Sequence, residues 1–161
     1  MNKLSTWLWF ETEAEEAAKY YASVFRNATV GEVVKAPPGA EPYNKEGQVL
    51  TACVTIEGQD FYCLNGGQHP GAVPNDSVSH QVLCADQEEV DEYWNKLKAD
   101  GGKESQCGWV VDRYGFRWQI VPEVLYRYMS GSDREVARRV TEAMFKMQKL
   151  DVAALEAAAR G

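Results

Sequence analysis

The sequence predicts an α+β domain made of two βαβββ modules and finished by C-terminal helices. Three observations carry this. Residue patterning reads strand, helix, strands, and then runs through the same order again. The segment EEAAKYY at 15–21 resembles EEVDEYW at 88–94, the mark of a repeated supersecondary unit. Between the copies, residues 66–76 hold Gly, Pro and Asn without periodicity and read as a linker.

In the first module (residues 1–66), residues 4–10 are short, aromatic-rich and bounded by acid, as a buried strand is. Thr12 and Glu15 have capping-box spacing, and Ala14, Ala17, Ala18, Tyr21 and Phe25 follow at helical intervals. A strand is expected at 29–35, and a Pro- and Gly-rich loop at 36–47. Two β-rich runs at 48–57 and 60–65 should be joined by a tight turn at Gly58-Gln59.

The second module (77–122) repeats this. A strand at 77–85 precedes Asp86 and Glu89, again at capping-box spacing, with Val90, Trp94 and Leu97 as the buried stripe and Gly101-Gly102 as the stop. Strands at 105–112 and 116–121 flank a turn at 113–115. Pro122 opens a short helix, which completes a paired domain over 1–130. The extension at 131–161 holds a helix capped by Ser132 with Glu135 and another opening at Asp151. Its stripe of Met144, Met147, Leu150 and Leu155 should pack on the domain or on a dimer mate.

Composition excludes several classes. A chain of 161 residues buries a core without disulfide staples. Its net charge of -7 repels phosphate backbones, and its densest basic cluster, Arg134, Arg138 and Arg139, lies among Asp133, Glu135 and Glu142, so no nucleic-acid partner is expected. Cys53, Cys63, Cys84 and Cys107 form no CxxC pair, and their apolar neighbours suit reduced, buried thiols in a cytoplasmic protein. No signal-peptide pattern and no apolar run near ~20 residues is present, so no membrane partner is expected.

The segments WLWFETEAEEAAKYYASVF, FYCLNGG, CADQEEVDEYWNKL, QCGWVVDRYGFRWQIVP and MFKMQKLDVAALEAA cover most of the chain. Together they resemble the PhnB-like branch of the vicinal oxygen chelate superfamily. That superfamily includes glyoxalase, bleomycin-resistance and dioxygenase proteins, and the branch is often labelled a 3-demethylubiquinone-9 3-methyltransferase domain. The resemblance implies an open barrel around a cleft and a homodimer, with modules pairing either within or between chains. It also implies where metal ligands would stand. In metal-using members His and Glu project from the first and last strands of each half. Those positions fall here on Ser5 or Trp7, on Ser79 or Gln81, on Gln119, and within residues 62–65. None is His, Asp or Glu, and a glutamine is a neutral, weak ligand, so no metal site and no cofactor is expected.

Strand alternation places Trp7 and Trp9 on one face, Ser79 and Gln81 on another, and Arg117, Gln119 and Val121 on a third. The expected ligand-binding set is Trp7, Trp9, Asn65, Gln81, Trp109 and Gln119: aromatic walls with neutral amides that both donate and accept. Two points stay open. The indoles either line a cleft or fill a closed core, and aligning the hairpins on Gly58 and Gly115 pairs Tyr62, rather than Asn65, with Gln119. His80 falls on the helix-covered face, and His69 lies in a loop that is either surface or lid. Cys107 has no base beside it in sequence, and Asp112 at its turn is expected to bond its own backbone.

The function expected is small-molecule binding in that cleft, with catalytic residues unassigned. The alternatives are a metal-dependent lyase, isomerase or dioxygenase with His69 folding in, methyl transfer as the branch label suggests, and an assembly role for the C-terminal helices. Methyl transfer lacks its glycine-rich loop between strand and helix, because Gly101-Gly102 ends a helix.

Overall fold

A computed structural model describes residues 3–161. Chain contacts divide it into two compact units, Met1–Val73 and Pro74–Gly161. The division falls inside the segment read as a linker.

The first unit runs β1 (Thr6–Phe10), α1 (Ala14–Val24), β2 (Ala28–Lys35), β3 (Val49–Ile56) and β4 (Gln59–Asn65). The sheet order is β1-β4-β3-β2, with β1 parallel to β4 and the other pairs antiparallel. Period-two alternation builds the core. Leu8 and Phe10 of β1, Phe61 and Cys63 of β4, and Ala52 and Val54 of β3 are all buried, as are Ala14, Ala17, Ala18 and Tyr21 of α1. The β3–β4 turn is centred on Glu57-Gly58, one residue earlier than expected, with φ of 48° and 77°. Both central residues of such a turn take positive φ, which is why a glycine belongs there.

The second unit runs β5 (His80–Cys84), α2 (Gln87–Lys98), β6 (Lys103–Glu104), β7 (Trp109–Val111) and β8 (Arg117–Pro122), followed by α3 (Glu123–Ser130), α4 (Arg134–Met144) and α5 (Val152–Arg160). Its order, β5-β8-β7-β6, repeats the first sheet with a parallel outer pair. The fold class is therefore mixed α+β: two four-stranded βαβββ sheets with helices, and C-terminal helices beyond them.

Three further local expectations differ from the structure. Thr12 does not cap α1: the N-cap is Glu13, without a side-chain cap bond. Asp133 rather than Ser132 caps α4, accepting from the Glu135 and Val136 amides. Asp133 stands one residue nearer the helix and brings a carboxylate to its positive end. The strand expected over 105–112 is interrupted because Cys107 and Gly108 take φ of 58° and 82°. Their amides leave the ladder and donate to the Met147 and Gln148 carbonyls, at 2.8 and 2.7 Å. Asp86 behaves as expected, accepting from the Glu89 amide at 3.0 Å.

The C-terminal helices pack on their own unit. Val121, Val124, Leu125, Val140, Leu150 and Leu155 form one buried cluster joining the last strand to α3, α4 and α5. Gln87 of α2 fastens the segment before α5, donating to Leu150 O and accepting from the Val152 amide.

His80 faces the covered side of its sheet, its ring tilted against Trp118 at 5.1 Å. Burial lowers its pKa below the ordinary 6.5, and Asp112 opposes the shift. The folded state thus holds His80 neutral where an unfolded chain is taking up a proton. Its contribution to stability is complete above 6.5 and declines as pH falls below that value, until the folded imidazole also protonates. Chemical denaturation between about pH 7 and about pH 5 should show a steeper loss in wild type than in His80→Gln. Equal slopes would assign the loss to other groups.

Candidate functional site

The two open sheet faces carry the candidate residues. In the first unit, Trp7 and Trp9 point away from α1. Trp7 is 54% exposed and stacks on Tyr62, its partner in register, with centroids 4.8 Å apart and planes at 14°. Cys53 is the next residue across that row. Trp9 holds a loop in place. Its Nε1 donates to Gly67 O at 2.9 Å, its ring tilts on His69 at 5.7 Å, and it fills the space beside Gly66, where a Cβ would lie 2.1 Å from the indole. His69 Nδ1 accepts from the Gly71 amide.

Asn65 stands on the other face, 6% exposed. Its Oδ1 accepts from the Ala14 amide at 2.8 Å, and its Nδ2 donates to Val49 O at 2.9 Å. It satisfies the first turn of α1, the work expected of Thr12, and its amide is not on the aromatic face. Tyr62 is, as the alignment of the two hairpins implied. Asn65→Ala should lower stability by about 2 kcal/mol, because a buried donor and a half-buried acceptor both lose partners. Urea titration measures it, and a loss below about 0.5 kcal/mol would remove this role.

The thiols here are not poised as nucleophiles. Burial first, then Asp60 and Glu32, push the Cys53 thiol up, against a side-chain hydrogen bond with Tyr62. Burial raises Cys63 to about 12. Both stay protonated at neutral pH, and the thiol is the unreactive form.

In the second unit, Gln81, Gln119 and Trp109 lie side by side across β5, β8 and β7, on the face opposite Trp118 and Ile120. Gln119 Nε2 donates to Ser79 Oγ at 2.7 Å, and Tyr126 Oη donates to Gln81 Oε1 at 2.8 Å. Arg117, on the same strand face, is held by Asp76, Pro74 O and Gly115 O. A half-open cleft of about 450 Å³ lies against this row. Its sheet side is Trp109, Gln119 and Val121, with Cys107 at the break in the strand. Its other side is Leu125, Tyr126 and Met129 of α3, with Met144 and Phe145 at the end of α4. The structure thus brings together three expected residues, Gln81, Trp109 and Gln119. Trp7 and Trp9 stand on the other unit's sheet. Sequence patterning does not mark the helical wall as part of the site: Met144 falls in an apolar stripe, and position 129 carries no strand alternation to follow.

The donor chemistry does not fit a divalent cation. The aligned positions offer indole, phenol, amide and hydroxyl groups, and among the described residues no group of three or more His, Cys, Asp or Glu is placed to hold a metal ion.

A family model described as 3-demethylubiquinone-9 3-methyltransferase matches residues 2–121. The chain belongs to that family. It is a PhnB-like member of the vicinal oxygen chelate superfamily. The solved PhnB protein from Bacillus cereus is 30% identical, with 75% of this chain and 99% of that chain covered and a TM-score of 0.65. Protein PA1353 from Pseudomonas aeruginosa, 16% identical over 76% of this chain and 98% of its own, has a TM-score of 0.60 and shares the fold. The fosfomycin resistance protein FosX from Listeria monocytogenes aligns at 13% identity over 76% of this chain and 93% of its own, with a TM-score of 0.49. None of the curated proteins matches this chain. The family match ends at residue 121, so α3, α4 and α5 lie beyond it. Among the described residues no helix is long and apolar enough to cross a membrane.

Proposed function

We propose that the protein binds a small organic molecule in the cleft of its second unit, with Gln119 and Trp109 as contacts and Gln81, held by Tyr126, at its edge. The observation that carries this is the cleft itself: about 450 Å³, mostly apolar, with the Gln119 amide in its lining and bonded to Ser79. Ligand sites have that size and composition. Catalysis is not part of the reading. The family's methyltransferase name is not carried over: α2 ends at Lys98 with Ala99 as its cap, and Gly101-Gly102 follow in the next turn and lead into β6, where a nucleotide-like donor needs glycines ahead of a helix.

Cys107 lines the cleft and reports its occupancy. In a screen of small aromatic and aliphatic compounds, hits should slow iodoacetamide labelling of Cys107. Met144→Trp, which fills the cleft, should abolish that protection while the circular dichroism spectrum is unchanged. A screen without hits, or hits that survive the filling substitution, rejects the site.

A reducing, cytoplasmic setting belongs to the same proposal, supported by four free cysteines. So does a homodimer, supported by exposed apolar side chains such as Trp7 and Leu83 on the sheets. Sedimentation at a monomer's 18.1 kDa across micromolar concentrations would remove the dimer.

A further inference from the structure

We infer that the cleft of the second unit selects an uncharged ring compound carrying a hydroxyl or carbonyl group, and that the C-terminal helices make that selection. This rests on the binding reading above and adds the ligand class and the selecting element.

Charge comes first. No Asp, Glu, Lys, Arg or His lines the cleft. The cation nearest in sequence on the sheet face, Arg117, already bonds Asp76 and two carbonyls. A carboxylate or ammonium entering the cleft loses hydration without gaining a counter-charge, and that loss is large in apolar surroundings. The polar end is neutral and two-sided. Gln119 gives one N–H to Ser79, which leaves its second N–H and its Oε1 for a ligand. A hydroxyl or carbonyl matches that amide, and a bare hydrocarbon leaves it unpaired.

Shape comes from the C-terminal helices α3 and α4. Met129 and Met144 put flexible thioethers along one wall, and Phe145, 63% exposed, stands at the mouth. Thioether sulfur makes favourable contacts with aromatic rings, and an exposed phenyl offers a stacking edge. Trp109 supplies the opposite wall. These helical residues lie beyond the family match, which ends at residue 121.

The test uses three probes of one size: 2-naphthol, 2-naphthoate and naphthalene, titrated into the full chain by calorimetry with Cys107 labelling read in parallel. 2-Naphthol should bind at least about tenfold more tightly than 2-naphthoate, which carries an uncompensated charge, and more tightly than naphthalene. Gln119→Leu should erase the preference for naphthol over naphthalene. Met129→Ala and Phe145→Ala, at partly exposed positions, should each weaken naphthol several-fold with the fold intact by circular dichroism. Equal binding of naphthoate, or full affinity in both helix variants while Cys107 stays protected, overturns this inference and leaves the binding site standing. Naphthol binding that leaves Cys107 labelling unchanged overturns both.

Discussion

Asp112→Ala should destabilise the protein by about 3–5 kcal/mol, the largest single effect expected outside the apolar core. Asp112 is 2% exposed. Its Oδ2 accepts from Trp118 Nε1 at 2.8 Å, and its Oδ1 accepts from the Tyr114 and Phe116 amides at 2.9 and 3.0 Å. One carboxylate thus closes the β7–β8 turn and anchors an indole packed under the sheet. Truncation leaves three buried or half-buried donors without their acceptor. Hydrogen bonds to a charged group contribute about 1.5–3 kcal/mol each, and donors sharing one acceptor do not add fully. A graded series separates the parts. Trp118→Phe removes one donor and should cost about 1–2 kcal/mol. Asp112→Asn keeps an acceptor for the backbone amides but cannot accept equally well at both ends, so it should fall between. Urea unfolding of the three variants gives the order, and an alanine variant within 1 kcal/mol of wild type would show that the turn closes without its carboxylate.

Leu150→Ala should cost about 3 kcal/mol, within the range for emptying a well-packed leucine site. Leu150 is 0% exposed and sits in the cluster that ties α3, α4 and α5 to the last strand. It also packs where Gly108 comes close: a Cβ on Gly108 would lie 3.0 Å from the leucine Cδ1 and 2.8 Å from Ile120 O. The substitution therefore loosens the segment whose carbonyls receive the Cys107 and Gly108 amides. Hydrogen exchange at those two amides should accelerate, and the cleft should bind 2-naphthol more weakly because Met144 and Phe145 lose their footing. Faster exchange confined to α5, with those amides still protected, would show that the extension is held in independent pieces.

Much of this fold is legible in the residues because period-two alternation and local caps are short-range. The faces of Trp7, Gln81, Gln119 and His80 follow from counting along one strand, and Asp86 needs only its own helix. Long-range demands are where reading falls short. Asn65 closes a strand whose alternation points it inward to α1, yet only the tertiary fold shows that the Ala14 amide needs it in place of Thr12. The 105–112 strand looks continuous in its own letters, and breaks because carbonyls some forty residues later in the chain draw two of its amides away. The helical wall of the cleft was hidden for the same reason: its apolar stripe fits a core, a dimer seam or a pocket equally well until the partner surface is known.

The break at Cys107 and Gly108 also separates two boundaries that ordinarily coincide. The family match stops at residue 121, whereas the hydrogen-bonded network that completes the second sheet runs on to Gln148. Trimming this chain to the length of its relatives would strand two amide donors beside a three-residue strand and expose the Val121 side of the core. For this protein the tail is architecture: Met147 and Gln148 supply the acceptors that the broken strand needs.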